Sequence, residues 1–304
     1  LFKGYSSLKA IDRIESMTGV FQLKEYQEVF AKNFENERNV IWTDYGGFST
    51  KEEVVKFLGM EPVMGKEEVT DYGDIVAQDK EKALKEIISD FKKRGYKKLQ
   101  LDYVRKDSET YALLKSGNLR GQTSQVEVAP YIDLPKTWEE YLSSLERKHR
   151  KELKRKIKRL EGENRFYQCT KETVEDDFEE FVRLHRLSDP NKSKFMSEKM
   201  KEFFWDVKTT RFPGWQSHLC FLKLEDKPVA SVMTFESDEE VWLYNSGFDP
   251  EFSYYSVGLL LKSYKIKKAI ESGKRRYDFL RGSERYKYEL GGVDRQLYKI
   301  VIEL

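Results

Sequence analysis

Apolar positions along the chain follow two periods. From Asp79 onward, Leu84, Ile87, Ile88 and Phe91 recur at i, i+3, i+4 and i+7, the spacing of an amphipathic helix. Gly95 is placed to end that helix, after Lys92, Lys93 and Arg94, whose charges suit the negative end of the helix dipole. Leu99, Leu101 and Tyr103 then alternate as a strand, and Asn39–Thr43 reads as an earlier short strand stopped by Gly46-Gly47. The same order returns late in the chain: a helix over about Ser256 to Ser272, then Gly273, a basic run Lys274-Arg275-Arg276, and a strand Tyr277-Asp278-Phe279-Leu280. Placing Gly273 over Gly95 gives an offset of 178 residues, which sets Tyr277-x-Phe279 over Leu99-x-Leu101. This recurrence suggests two copies of one α/β unit. The late helix is apolar on two sides, with Val257, Leu260, Leu261 and Tyr264 on one and Leu259, Ile266 and Ile270 on another, so it is expected to lie beneath or between sheets.

Between the copies, Pro130-Tyr131-Ile132-Asp133-Leu134-Pro135 is a proline-bracketed extended segment. Thr137, with Glu140 three residues on, forms a capping box that opens a helix carrying one stripe: Leu142, Leu145, His149, Leu153, Ile157 and Leu160. The other faces of that helix are basic, with nine Lys or Arg between Arg147 and Arg159. Phe178, Phe181, Val182 and His185 predict a further helix, and Phe195–Val207 another. His218–Leu224, Pro228–Glu236 and Glu240–Ser246 read as strands of an antiparallel meander, turned at Asp226-Lys227 and Ser237-Asp238.

Composition narrows the function class. A chain of 304 residues predicts two domains or one large one, and 19 Phe, 18 Tyr and 5 Trp exclude a disordered chain. Lys+Arg at 55 against Asp+Glu at 53 leaves a net charge of only +2, far from a nucleic-acid coat protein, and no DNA partner is expected. Two cysteines, Cys169 and Cys220, and three scattered histidines, His149, His185 and His218, offer neither a disulfide framework nor zinc-ligand spacing, so no metal is expected. Cys169 shows no sign of being a nucleophile, and His218 and Cys220, on a strand, read as structural. No apolar run approaches the ~20 residues of a spanning helix, which leads to the expectation of a cytoplasmic protein, peripheral at most to the inner face of the membrane.

Three stretches together resemble a known family: Val241-Trp-Leu-Tyr-Asn-Ser-Gly-Phe-Asp-Pro250, Tyr255-Ser-Val-Gly-Leu-Leu260 and Tyr277-Asp-Phe-Leu-Arg-Gly-Ser-Glu-Arg-Tyr-Lys287. They are similar to the CelD/BcsL-like branch of the GNAT acyltransferases, proteins connected with exopolysaccharide synthesis and similar in turn to the Fem-type peptidoglycan aminoacyl transferases. Pro130–Pro135, Trp138-Glu-Glu-Tyr141 and the basic helix with His149-Arg150 fit the entry to that domain. The resemblance covers about Pro130 to Leu297. It implies an α/β (α+β) fold of two tandem GNAT-like units, each a mixed, largely antiparallel sheet flanked by helices: residues 1–129 a degenerate first copy, residues 130–304 the acyltransferase domain.

The resemblance also implies where chemistry would sit. In GNAT proteins the helix after a splayed central strand offers its N-terminal amides to the coenzyme A pyrophosphate; Ser256, Val257, Gly258 and Leu259 fill that place, with Ser246 on the strand before it. Of the family's glycine-rich loop only Gly258 stands, and the alternative reading is that Ser256 simply caps a core helix. Asp278, Arg281, Glu284, Tyr286 and Lys287 are the densest polar constellation of the chain. Asp278 is expected to act as base or orienter, Tyr286 as acid or hydrogen-bond donor, Lys287 and Arg281 as holders of phosphate or carboxylate, and Glu284, His149 and Arg150 as substrate contacts. Set against this are a salt-bridged surface corner for the cluster, a core histidine for His149 and a solvated face for the basic run.

The leading expectation is an acyltransferase moving an acyl group from an acyl-CoA or acyl carrier protein thioester, a co-substrate and not a tightly bound cofactor, to an amine or hydroxyl of a sugar, lipid or amino-acid derivative. A Fem-type transferase drawing on charged tRNA is the second, with the basic helix at 145–160 docking tRNA or an anionic membrane. A catalytically inactive glycan- or lipid-binding module is the third. Only the second copy is expected to be active, because the first copy's helix begins Asp79-Lys80-Glu81-Lys82, placing carboxylates where a pyrophosphate would lie.

Overall fold

The computed structural model describes residues 19–35, 37–60, 69–117, 119–160, 164–168 and 172–304; Cys169 lies outside them. Two compact units emerge. The first comprises Leu1–Val128, Thr210–Trp215 and Arg295–Leu304, the second Ala129–Thr209 and Gln216–Asp294.

In the first unit, helix α1 (Lys24–Phe34) precedes an antiparallel meander of β1 (Val40–Thr43), β2 (Gly46–Lys51) and β3 (Val54–Phe57). Gly46-Gly47 do not merely stop β1 but open β2, where a Cβ at Gly47 would lie 2.8 Å from the Trp42 ring. Helix α2 (Lys80–Lys93) then carries the chain to β4 (Lys98–Arg105), which pairs parallel to β3. Parallel neighbours need such a crossover because a tight turn cannot reverse the chain twice. Helix α3 (Glu109–Lys115) follows.

β5 (Gln122–Asp133) leads into the second unit, where α4 (Trp138–Ser144), α5 (Arg147–Arg159), β6 (Asn164–Gln168), α6 (Val174–Ser188), α7 (Pro190–Phe195) and α8 (Glu198–Thr209) come before the next meander. That meander is β7 (Gln216–Leu224), β8 (Lys227–Glu236) and β9 (Glu240–Phe248). Helix α9 (Val257–Glu271) then crosses to β10 (Arg276–Asp278), parallel to β9 and antiparallel to β5. Helix α10 (Arg285–Glu289) and β11 (Val293–Glu303) close the chain, β11 running antiparallel to β4.

The 178-residue recurrence is therefore a recurrence of structure. β4 begins at Lys98 and β10 at Arg276, each parallel to the last strand of a meander. Gly95 (φ 90°) and Gly273 (φ 71°) end the two helices in the left-handed region. Tyr96 N–H donates to Phe91 O (3.1 Å) as Lys274 N–H donates to Ala269 O (3.0 Å), the same helix-ending bond at the same offset.

Several boundaries differ from the periodicity for local reasons. The capping box at Thr137 and Glu140 forms, but its stripe spans two helices, because Leu145 is extended (ψ 145°). Ser143 and Ser144 weaken the helix there, and Ser144 Oγ donates back to Tyr141 O at 2.8 Å. Phe195 closes α7, and Ser197 Oγ accepts from Met200 N–H at 3.3 Å to start α8 afresh. The first hairpin turn lies on Glu225 and Asp226, both at positive φ (50° and 67°), with Lys227 already in β8. Both central residues at positive φ match the twist of the flanking strands.

The second unit's sheet is covered on two faces. Cys220, Val232, Val241, Leu243 and Tyr277 pack with Val257, Leu260, Leu261 and Ile266 of α9. Phe178, Phe181, Phe203 and Phe204 from α6 and α8 are buried, with Phe204 meeting Tyr244 of β9 at 5.4 Å. At Gly247 the backbones of β9 and α6 almost touch: a Cβ would lie 2.4 Å from His185 N.

Candidate active site

The parting of β9 and β10 creates the site. The two strands pair only from Glu240 to Trp242 against Arg276 to Asp278. Past that point β9 continues to Phe248 with β8 on its other edge, while the chain after β10 turns away, Phe279 N–H donating to Pro130 O at 2.9 Å. A bulge opposite Met233 and Thr234 gives β9 an extra residue at Tyr244, beside the parting. The backbone of β9 beyond Trp242 thus offers hydrogen-bonding groups to an extended ligand, as a sheet edge does. One of them is taken: Ser246 O accepts from Lys192 Nζ at 2.6 Å.

Helix α9 begins beyond the end of β9. Pro250–Tyr255 forms a 3-10 turn held by Asp249, and Ser256 adopts φ 57° before the helix. Ser256 O accepts from the N–H groups of Leu259 and Leu260, both at 3.0 Å, but its side chain makes no capping bond. The alternative reading of Ser256 as a side-chain cap is corrected here: a capping residue is normally extended, and Ser256 is left-handed. At the matching place in the first unit, Asp79 Oδ1 accepts from Lys82 N–H at 2.9 Å. One helix start is closed by its own carboxylate and the other is not. Val257 is fully buried, and Leu259 packs at the edge of the core. Gly258 does leave room, but for the protein itself: a Cβ would lie 3.3 Å from the Phe248 ring.

The loop after β10 gathers the predicted cluster and assigns it different work. Asp278 is fully buried and accepts from Leu280 N–H through Oδ1 at 2.8 Å, fixing Leu280 at φ 58°. It orients the loop; enclosed there, it is not placed to take a proton from an incoming substrate. Lys287 is also buried, and its Nζ donates to Leu280 O (3.0 Å), Arg281 O (2.7 Å) and Gly282 O (3.0 Å) and pairs with Glu284 Oε2 at 2.9 Å. An ammonium has three hydrogens, so Lys287 is spent on tying the loop and is not an open phosphate ligand. Arg281 contributes its carbonyl to this knot. Tyr286 lies edge-on to Phe279 at 6.2 Å, and burial pushes its phenol pKa up, so it stays a protonated hydrogen-bond donor.

His149 and Arg150 stand apart on α5. His149 is 3.9 Å from the Glu146 carboxylate, while Arg150 Nη1 donates to Ser143 O at 2.9 Å and closes the end of α4. Arg150 is therefore a helix-end residue, since the last carbonyls of a helix need outside donors.

Sequence reasoning missed two lysines. Lys262 lies on the buried face of α9 at 6% exposure; its Nζ is 3.3 Å from Gly258 O and 4.7 Å from the centre of the Tyr286 ring. Burial, reinforced by the charge of Lys192, lowers its pKa to about 7. Burial lowers the pKa of Lys192 of α7, opposed in part by Glu284 and Asp189. Position 262 follows Gly258 by one helical turn on an apolar face, which is the one signal that could have singled it out. Farther along α9, Lys265 pairs with Glu236 of β8, which lies 4.0 Å from His218 Nε2. Cys220 is buried in the core beneath α9, in keeping with a structural role. Among the described residues no cluster of His, Cys, Asp and Glu could hold a metal, and no helix is long and apolar enough to cross a membrane.

Residues 147–288, just under half of the chain, match the family model described as acetyltransferase (GNAT) domain. No curated protein matches the chain. Among solved structures the fold recurs in FemX, with a TM-score of 0.64, 12% identity and coverage of 96% of this chain and 95% of that one. It recurs in a conserved protein of unknown function from Bacteroides thetaiotaomicron, with a TM-score of 0.62, 10% identity and coverage of 94% and 91%. A third is the C-terminal domain (DUF2156) of a protein provisionally named a lysylphosphatidylglycerol synthetase from Agrobacterium fabrum, with a TM-score of 0.59, 10% identity and coverage of 96% and 92%. At such identities these neighbours establish the fold alone. The segment that contains the parted strands and the start of α9 is accordingly a GNAT-type acyltransferase domain.

Proposed function

We propose that the second unit transfers an acyl group from a thioester, carried by coenzyme A or an acyl carrier protein, to an amine or, less favourably, a hydroxyl of a sugar, lipid or amino-acid derivative. The observation that carries this reading is the parting of β9 from β10 beyond Trp242 and Asp278, with the uncapped start of α9 at its open end. The donor's pantetheine arm would lie along the free edge of β9 near Ser246, and its phosphates at Ser256–Leu259. In the reaction the acceptor nitrogen bonds to the thioester carbon, the C–S bond breaks, the amine loses a proton and the departing thiolate gains one. Tyr286, held protonated, is the group suited to give that proton or to hold the carbonyl oxygen. Glu284, half-exposed beside Lys287, would face the acceptor.

Incubation with acetyl-CoA and with an acetylated carrier protein tests this: binding and slow thioester hydrolysis are expected from at least one donor, and neither with either donor would remove it. The Fem-type reading keeps a specific support in α5 and its neighbour Tyr254. Tyr254 is 69% exposed, with the Arg159 guanidinium 4.2 Å from its ring, an arrangement suited to stacking a nucleobase next to the basic face. Salt-sensitive binding of charged tRNA, lost on Tyr254→Ala, would favour it.

A further inference from the structure

Two ammonium groups beside the parted strands, Lys262 buried and Lys192 partly so, form no ion pair among the described residues. Lys287 is matched by Glu284 at 2.9 Å and by three carbonyls. Lys262 has only Gly258 O at 3.3 Å and the face of Tyr286, and Lys192 has Ser246 O at 2.6 Å. The three lysines come from three separate elements, α7, α9 and α10, yet the charges of Lys192, Lys287 and Glu284 all act on Lys262. His185 of α6 is buried and neutral, its pKa pushed down to about 3 by burial and then by Lys192, with Arg186 adding in the same sense, so it supplies no negative charge. Asp189, at the N-cap of α7, also acts on Lys192, so three lysines face two carboxylates, of which only Glu284 acts on Lys262. Leaving a cation buried without a counter-charge is costly, and a ligand with a negative group would remove that cost.

We propose that the cleft holds an anion subsite between Lys192 and Lys262 that takes a carboxylate or phosphate of the acyl acceptor. The inference rests on the acyl-transfer reading for the word acceptor, but the subsite itself rests on the lysines. Its position agrees: Lys192 is bound at the free edge of β9, inside the start of α9 where donor phosphates would lie. An acid bound there would bring its amine or hydroxyl against the parted strands.

The subsite has a proton signature. Lys262 titrates near 7 in the free protein and is neutral above that pH, so an arriving anion must draw a proton onto it. Calorimetry with inorganic sulfate and, at pH 8, with succinate, each fully ionised under those conditions, in two buffers of different ionisation enthalpy, reads this directly. At pH 8 binding is expected with uptake approaching one proton, shrinking for sulfate towards zero below pH 6. Tighter sulfate points to a phosphate, tighter succinate to a carboxylate. Lys262→Met and Lys192→Met should each weaken binding by about tenfold or more, while Lys262→Arg should bind without proton uptake. Binding without uptake in the wild type, equal binding by the Met variants, or no binding of either anion would overturn the subsite. Thioester turnover measured alongside separates the two failures: anion binding with uptake but no turnover from any donor would remove acyl transfer and keep the subsite.

Discussion

Lys287 shows how one side chain can be read for chemistry from its neighbours in sequence and turn out to hold the scaffold. Its ammonium ties Leu280, Arg281 and Gly282 into a loop that also contains two positive-φ residues, Leu280 and Gly282. Replacing it by methionine would leave three carbonyls without that donor, at about 1–3 kcal/mol for each one that water does not reach. Lys287→Met is therefore expected to lower stability in urea unfolding and activity together. Lost activity at wild-type stability would instead show that the ammonium is spent on substrate. Asp278 belongs to the same class, since its carboxylate is bound by Leu280 N–H within the chain.

At the scale of elements, two helices form the two parallel-strand crossovers and begin differently. α2 is closed by Asp79, and α9 starts at Ser256 with no side-chain cap. Ser256→Asp would place a carboxylate where donor phosphates are expected, and aspartate tolerates the left-handed φ of 57° found there. Donor affinity should fall by about tenfold or more, with the fold intact, as read by coenzyme A titration. The control belongs on α2 at Lys82, which is 72% exposed: Lys82→Glu should leave donor affinity unchanged. Lys80 is a poorer control, because it pairs with the half-buried Asp74 at 2.6 Å, which also accepts from Thr110 Oγ at 2.6 Å. Equal loss of donor binding in the Ser256 and Lys82 variants would place the donor elsewhere.

For the whole molecule, the buried basic groups set how stability varies with pH. Lys262 titrates at about 7 in the folded protein and near 10.4 when unfolded, so the unfolded chain holds more protons between these values. Stability should therefore rise with pH through that window, by up to about 1.4 kcal/mol per unit. Lys192 and His218, both lowered chiefly by burial, act in the same sense. His185, held at about 3 by burial against an unfolded value near 6.5, makes stability fall as pH drops from 6.5 towards 3. Urea unfolding should give a higher midpoint at pH 9 than at pH 7.5, and Lys262→Met should flatten that difference. A midpoint that falls over this range in the wild type would contradict a buried, depressed Lys262.

The sequence by itself determined the parts of this protein that depend on short spacings. Helix periodicity around Leu84–Phe91, the Thr137–Glu140 capping box, the glycine ends at Gly95 and Gly273 and the recurrence between them are relations among residues a few positions apart, and the chain forms them where the spacing says. The resemblance around Val241–Lys287 pointed to the segment with the parted strands for the same reason, since contiguous residues carry it. Tertiary structure alone decided which polar groups are consumed and which are left over. Arg150, Asp278 and Lys287 are taken up by backbone groups that only the folded loops present to them. Lys192 and Lys262, from helices far apart in the chain, gain their meaning only when folding brings them together around one shared carboxylate, Glu284. Burial and charge pairing are sums over long-range neighbours, and no local pattern encodes them.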